Sequence, residues 1–185
     1  MIGYAICGSF CTHSKSLETL VSLAEKYDII PIISPSAATF DTRFGKASEL
    51  IEAVEKICRR KAILSIKDAE PLGPRKPLDA LVISPCTGNT LAKIASGITD
   101  TSVTMAAKAH LRGGGSLIIA LATNDALSAN LRNIATLLNR KCVYFVPMIQ
   151  DDPEKKPSSL VADFSLVDKC LEYSKAGRQM RPLFR

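Results

Sequence analysis

The sequence alternates short, uninterrupted apolar runs with longer segments in which apolar residues recur at helical spacing. The clearest apolar runs lie at residues 2–7, 29–33 and 78–84. A run that is apolar at consecutive positions, and not only at alternate ones, is typical of a strand buried on both faces. Such strands separated by helices favour a parallel sheet with helices packed on both faces.

The same pattern extends through most of the 185 residues. We predict strands at residues 2–7, 29–33, 62–66, 78–84, 116–121 and 142–146. We predict helices at residues 14–26, 44–58, 90–98, 101–111, 127–138 and 161–174, and loops at 68–77 and 147–157. This is a three-layer α/β fold of the Rossmann-like (flavodoxin-like) kind, with a parallel sheet of about six strands and helices on both faces. We expect one domain over 1–185, with a core at 1–150 and a C-terminal loop and helix at 151–185.

Composition narrows the possible partners. The formal net charge is +6, but aromatic residues make up only 5% of the chain and Trp is absent, so a nucleic-acid surface is not expected. An anionic small molecule suits the charge better. We find no apolar stretch long enough to span a membrane and no leader, which predicts a cytoplasmic protein. The six cysteines form no CxxC pair, and no metal-ligand spacing is present.

Small and hydroxylated residues follow the predicted strands. Gly8 and Ser9 follow the first, Ser34 and Ser36 the second, and Asn124 the strand at 116–121. Ligands of open parallel sheets bind beyond the carboxyl ends of the strands, so these turns mark the expected binding edge. Gly8 and Ser9 before a helix N-terminus suit an anion, although an ordinary strand-to-helix turn has the same composition.

The turn at 85–90 (PCTGNT) is the most informative segment. Gly88 allows a close approach of the backbone, and the Asn89 amide can both donate and accept. Either Asn89 or Thr90 is also a good cap for the following helix, but capping does not need the whole run. We therefore expect ligand binding here. Cys86 is open to two interpretations, a small packed residue or a thiol activated by the helix amides.

Two further residues have both a chemical and a structural interpretation. His13, in the first turn, suits general acid–base work or a substrate contact, but also an ordinary helix start. Arg43, beyond the second strand, suits bidentate binding of a carboxylate, but also a solvated helix start.

Residues 84–102, SPCTGNTLAKIASGITDTS, resemble the PASANT-type signature of the homo-oligomeric flavin-containing cysteine decarboxylase superfamily. The order of landmarks along residues 1–150 is similar too. This resemblance implies a Rossmann-like flavoprotein that binds FMN and forms a homo-oligomer. It implies that Gly8, Ser9, Ser34 and Ser36 receive the phosphate and ribityl chain. It further implies that Asn124 closes the pocket. The residues beside the flavin ring would be Ser84, Pro85, Cys86, Thr87, Gly88, Asn89 and Thr90.

The sequence departs from the decarboxylases in that superfamily. PASANT is replaced by PCTGNT, and the region EPLGPRKPLDAL lacks the His that decarboxylases place before this strand. The form SPCTGNT, with ISPSAATFDTRFG upstream, resembles a branch found in endospore-forming bacteria. That branch implies the oxidation of a cyclic dicarboxylate to its aromatic form in the mother cell, together with a nicotinamide-binding partner subunit that holds any NAD(P).

The resemblance to that branch, together with positions in or near strand-end loops, suggests roles for five residues. His13 and Asn89 would act in catalysis, and Arg43, Lys15 and Arg75 would hold substrate carboxylates. Two alternatives stay open. The first is a non-catalytic partner subunit with a vestigial flavin site, and the second is an FMN-dependent decarboxylase of the cysteine type.

Overall fold

A seven-stranded sheet forms the centre of the structure, a computed structural model that describes residues 1–75 and 77–185. Its strands are β1 (Ile2–Ile6), β2 (Ile29–Ile33), β3 (Ala80–Cys86), β4 (Ser116–Thr123), β5 (Val143–Phe145), β6 (Met148–Ile149) and β7 (Leu160–Ala162). The helices are α1 (His13–Ala24), α2 (Pro35–Thr39), α3 (Ala47–Cys58), α4 (Ile66–Ala69), α5 (Leu72–Arg75), α6 (Gly88–Ala95), α7 (Ser102–Arg112), α8 (Leu131–Leu138) and α9 (Val167–Lys175). Single 3₁₀ turns lie at Phe10–Thr12 and Phe164–Leu166.

The strand order places a switch point between β1 and β3. The main path runs β2-β1-β3-β4-β7-β6, and β5 pairs with β4 beside β7. Strands β1 to β5 are parallel, whereas β7 is antiparallel to both β4 and β6. The chain leaves β1 toward β2 on one side and enters β3 on the other, which opens a crevice at the carboxyl ends of both strands. The predicted α/β fold with a largely parallel sheet is confirmed.

The central strands are buried on both faces. Every residue of β1, β2 and β3 is buried, which is why these segments read as continuous apolar runs. Burial of a Leu or Ile side chain contributes about 1.5–3 kcal/mol each, so the strands anchor the fold. Each buried side-chain nitrogen and oxygen in the described residues has a hydrogen-bond partner. No helix among these residues is long and apolar enough to cross a membrane.

One predicted strand is wrong. In the segment 62–66 only Ile63 pairs with the sheet, in a single bridge to Ile32 at the outer edge of β2. Leu64 and Ile66 are exposed, so the apolar run has no second face to bury. Ser65 instead starts α4, since its hydroxyl accepts a hydrogen bond from the Asp68 amide at 3.1 Å.

Three predicted loops or helices also differ from the structure. The region 68–77 contains the end of α4 and all of α5, although Lys76 lies outside the described residues. Pro35 occupies the first turn of the short helix α2, an element that the sequence did not predict. The predicted helix 161–174 starts with strand β7, and the predicted loop 147–157 contains β6.

The C-terminal residues are tied to the sheet. The Gln179 side chain donates to the Phe145 carbonyl at 2.7 Å and accepts from the Phe145 amide at 2.8 Å. Further along, the Met148 amide donates to the Leu183 carbonyl at 2.8 Å. Both Met180 and Leu183 are buried. The tail therefore covers the outer side of β5 and β6.

Candidate functional site

Three loops meet at the carboxyl end of the sheet. The Cys7 amide donates to the Pro85 carbonyl at 3.1 Å, and the Ser34 amide donates to the Ile6 carbonyl at 2.9 Å. A Cβ atom at Gly8 would lie 3.4 Å from the Ser36 Cβ, an ordinary contact distance. The structure thus brings the loops after β1, β2 and β3 together, as the sequence pattern predicts.

The loop after β1 is held by its own hydrogen bonds. The Thr12 amide and hydroxyl both donate to the Ser9 carbonyl, at 3.0 and 2.8 Å. The Ser9 side chain makes no capping hydrogen bond in this turn. Its hydroxyl is therefore available to a ligand at the crevice. Cys11, in the same turn, is exposed.

His13 begins α1 with its ring turned back to the strand. Its Nε2 lies 2.8 Å from the Cys7 carbonyl oxygen. Because a carbonyl only accepts, Nε2 carries the proton and Nδ1 is left as an acceptor in the neutral ring. Burial lowers the pKa of His13, and the Cys7 carbonyl opposes that shift only in part. The neutral imidazole at pH 7 is the form that a general base needs.

Beside His13 lies a small, mostly apolar cleft of about 230 Å³. Phe10 lies in its wall, with its ring centroid 5.3 Å from that of His13. Phe40 and Phe44 are 59% and 53% exposed at its rim, an unusual exposure for aromatic side chains. Lys46 also lines the cleft. Lys46 was not predicted from the sequence; its signal was its position three residues after Arg43, in the same loop before α3.

The signature turn divides into structural and exposed residues. The Thr87 hydroxyl accepts from the Thr90 amide at 3.2 Å and so caps α6, whereas sequence analysis placed the cap at Asn89 or Thr90. Thr90 in turn donates to the Cys7 sulfur at 3.4 Å. Asn89 is exposed in the first turn of α6. Capping and internal hydrogen bonds therefore account for the Thr87 and Thr90 side chains but not for Asn89.

Gly88 lies against a polar cluster that follows β4. The Asp125 carboxylate accepts from the Thr123 hydroxyl at 2.5 Å and from Asn130 Nδ2 at 2.8 Å. Asp125 is half-buried, whereas its neighbour Asn124 is exposed. The side chains after β4 that lie against Gly88 are thus those of Asp125 and Asn130. Sequence analysis named Asn124 and missed Asp125, although both stand in the same triplet.

Ser84 and Cys86 lie beneath the crevice, not on its surface. Both are fully buried, and the Tyr4 hydroxyl donates to Ser84 Oγ at 3.0 Å. Burial raises the pKa of the Cys86 thiol well above its usual range, with the neighbouring Cys7 adding to the shift. Burial likewise raises the pKa of Cys7 to about 11. A protonated, buried thiol supports the interpretation of Cys86 as a packed residue.

The three predicted carboxylate-binding cations occupy three different places. The Arg43 guanidinium lies 4.8 Å from the Phe44 ring centroid, next to the cleft. Lys15 lines a separate groove, together with Asp151 and Asp163. Arg75 ends α5, five residues before β3 begins, and so lies at the opposite edge of the sheet. Of the three, only Arg43 lies beside the cleft that His13 lines, through its contact with Phe44.

A parallel sheet with a crevice at its switch point and a hydroxyl-rich turn after β3 is typical of nucleotide-binding α/β proteins. Residues 1–169 match the model of the Flavoprotein family, and the chain belongs to this family. The resemblance drawn from the signature segment is confirmed at this level.

Individual relatives extend the comparison. The chain is 39% identical over 185 residues to the B subunit of dipicolinate synthase of Bacillus subtilis strain 168, covering 98% of this chain and 92% of that protein. The crystal structure of the dipicolinate synthase B subunit from Bacillus halodurans superposes with a TM-score of 0.91 at 38% identity, covering 100% of this chain and 95% of that one. The FMN-dependent cysteine decarboxylase SpaF shares the fold, with a TM-score of 0.70 at 21% identity over 94% of this chain and 96% of that one.

Proposed function

We propose that this chain is the flavin subunit of a dipicolinate synthase, which binds FMN in the crevice and takes part in oxidising dihydrodipicolinate to dipicolinate. The observation that carries the proposal is the match to a dipicolinate synthase B subunit over 98% of the chain, signature turn included. Membership of the Flavoprotein family supports the flavin. The exposed Asn89, the uncapped Ser9 hydroxyl and the open cleft at His13 support the place.

The residues at the crevice fit the parts of FMN. A phosphate needs backbone amides and hydroxyls without a nearby carboxylate. The backbone at Gly8 is approachable, since even an added Cβ would meet its neighbours only at 3.4 Å and beyond. We assign the phosphate and ribityl chain to Gly8, Ser9, Ser34 and Ser36. We assign the surroundings of the ring to Pro85, residues 87–90 and Asn124, with the buried Ser84 and Cys86 supporting the turn from beneath.

FMN supplies a two-electron acceptor when bound, and the loss of two hydrogens makes the substrate ring aromatic. The chain itself has to place a small dicarboxylate and accept a proton. Arg43 and Lys46 are the cations beside the cleft and would bind the carboxylates. The Nδ1 atom of neutral His13 would accept the proton, and Asn89 would orient the substrate by its amide.

We propose that the chain works with a nicotinamide-binding A subunit and as a homo-oligomer. Its relative from Bacillus subtilis is named as one subunit of a synthase, which implies an enzyme with more than one kind of subunit. This sequence has no dinucleotide fingerprint, so any NAD(P) belongs to the partner. Dipicolinate production in the cytoplasm of a sporulating mother cell follows from the same likeness.

An FMN titration followed by turnover tests the proposal. We expect the purified chain to bind FMN saturably, and to oxidise dihydrodipicolinate when the A subunit is present. Ser9→Ala should weaken FMN binding, whereas Ser22→Ala, a change at an exposed position toward the end of α1, should not. A chain that ignores FMN but still supports the A subunit would be a non-catalytic partner. Turnover of a peptide ending in cysteine would identify a decarboxylase.

A further inference from the structure

A basic groove runs along the outer side of β5, away from the crevice. The end of α8, the start of β5 and the C-terminal tail enclose a volume of about 1400 Å³. Arg140, Lys141 and Arg181 line it, and its lining includes no Asp or Glu. Within the part of the chain that the structure describes, none of these three cations forms an ion pair.

The groove is lined by apolar side chains as well as by charged ones. Leu138, Tyr144, Pro182 and Leu183 line it, and Phe184 is 51% exposed there. Solvated cations alone are ordinary on a basic protein. Cations around an exposed aromatic side chain form the pattern of a protein-binding surface, in which Arg and aromatic residues are enriched.

The C-terminal residues 177–184 form one wall of this groove, the tail wall, and hydrogen bonds to the sheet hold it in place. Gln179 binds both backbone groups of Phe145, as described above. The Leu183 carbonyl and the Arg185 amide bond to the amide and carbonyl of Met148, at 2.8 and 3.0 Å. Arg185 also pairs with Asp163 at 3.0 Å. Phe184 is therefore presented on a backbone held from both sides, which reduces the entropy lost when a partner binds.

The tail wall also lies beyond the residues that match the family model. The family match ends at residue 169, whereas the tail wall comprises residues 177–184. The match to the dipicolinate synthase B subunit, in contrast, covers 98% of the chain. The tail wall is therefore found in the part of the chain that the match to the B subunit covers and the family match does not. The other wall begins at the amino-terminal end of β5. An occupant of the groove would therefore leave the crevice at the carboxyl ends of the strands open.

We propose that this groove docks the partner subunit through an acidic segment that also carries apolar side chains. The inference rests on the proposed function, because it assumes that such a subunit exists. Because no carboxylate lines the groove beside its three cations, a segment with acidic side chains complements their charge. The exposed Phe184 ring favours apolar side chains in the same segment.

The test compares two charge reversals in the full chain. Arg140→Glu with Lys141→Glu changes the groove, and Lys56→Glu with Lys67→Glu changes charge equally on exposed helical positions elsewhere. Binding of a dipicolinate synthase A subunit is measured by calorimetry, together with FMN titration and the chain's own mass by light scattering. We expect the groove variant to bind the A subunit at least about tenfold more weakly, and the control variant to bind like the wild type.

Three results of this comparison would overturn the inference. Equal binding by both variants shows that the A subunit docks elsewhere. A groove variant with a changed mass shows that the face joins copies of this chain. Groove-dependent binding of a short DNA duplex shows a nucleic-acid surface. If the charge reversal unfolds the chain, the affinity of Phe184→Ala for the A subunit and the salt dependence of wild-type binding take its place as the test. A wild-type affinity that does not change from 50 to 500 mM salt (about tenfold in ionic strength) would then overturn the inference. A wild type that binds no A subunit fails the proposed function itself.

Discussion

A Cβ atom on Gly88 would lie 2.5 Å from Nδ2 of Asn130. It would also lie 2.6 Å from Thr123 Oγ1 and 2.8 Å from Asp125 Oδ1. Real Cβ atoms do not approach heavy atoms so closely. The glycine of the signature turn is therefore required by the polar cluster behind it, quite apart from any ligand in front of it.

Gly88→Ala should destabilise the fold and displace the signature turn. Overpacking of this kind costs about 1–3 kcal/mol in the free energy of unfolding. Urea unfolding measures that cost, and FMN titration should show weaker binding. In Gly88→Ala with Asn130→Ala, the closest clash is gone, so the double change should cost less than the sum of the two single ones. Strict additivity would show that the cluster does not constrain Gly88.

Tyr4→Phe should destabilise the protein without touching the crevice surface. The Tyr4 hydroxyl lies 2.8 Å from the Ser16 carbonyl and 3.0 Å from Ser84 Oγ, all fully buried. Removing it leaves buried polar atoms with fewer partners, at a cost of about 1–3 kcal/mol. The matched control is Tyr173→Phe, since Tyr173 is half-buried and keeps its ring contact with Arg178. Equal stability of Tyr4→Phe and wild type would contradict the network.

The same tyrosine predicts a loss of stability at high pH. Burial raises the pKa of Tyr4 to about 12, while its hydrogen bonds to Ser16 and Ser84 act in the opposite direction. The unfolded chain releases this proton near pH 10. The stabilisation is therefore complete below about pH 10 and is lost as the pH rises toward 12. The free energy of unfolding should fall over that range more steeply for the wild type than for Tyr4→Phe.

The two histidines predict a loss of stability toward acid. Burial lowers the pKa of His13 and of His110, whose Nε2 lies 3.1 Å from the Ser116 carbonyl. A lowered histidine pKa leaves stability intact above about pH 6.5 and reduces it as the pH falls toward the folded-state value. Proton NMR should give both rings midpoints below 6.5, and His110→Gln leaves the His13 signal alone. A His13 midpoint at or above 6.5 would refute its burial.

Asn89→Ala and Thr87→Ala should affect different properties. The first should weaken FMN binding or turnover, and the second should lower stability. The Asn89→Ala variant should bind FMN more weakly or turn over more slowly. Because Asn89 is exposed, the free energy of unfolding of this variant should stay within about 0.5 kcal/mol of the wild-type value. Thr87→Ala removes the cap of α6 and should cost about 1 kcal/mol, whereas Thr87→Ser keeps the hydroxyl and most of the stability. Urea unfolding and FMN titration on all three variants separate the roles. Unchanged FMN binding and turnover in Asn89→Ala would remove it from the site.

The fold was predictable where strands are buried on both faces, because such strands appear in the sequence as continuous apolar runs. The strand predicted at 29–33 is the observed β2, because every residue in it is buried. The run at 62–66 has a similar composition, but it meets the sheet only at Ile63. Which apolar run pairs fully depends on the space beside β2, and that space is set by distant parts of the chain.

The candidate site was predictable to the level of turns, and less well to the level of side chains. Gly8 and Ser36 meet as expected, since parallel strands end at one edge. Asn124 and Asp125 could not be ranked, because only the packing of Asn130 and Gly88 decides which of them turns inward. Arg75 was misplaced for a different reason. Its loop precedes a strand, and the end before a strand lies opposite the end that binds ligands.

The exposure of Cys11 has a practical consequence for chemistry on this protein. All six cysteines lie in the described part of the chain, and Cys11 alone among them is exposed. A maleimide or iodoacetamide reagent should therefore attach first at Cys11, in the turn that follows Gly8 and Ser9. Inactivation by such a reagent would report a bulky adduct at the mouth of the crevice, and not a nucleophilic cysteine. A fluorophore on the same sulfur would make an optical probe of whatever occupies that crevice.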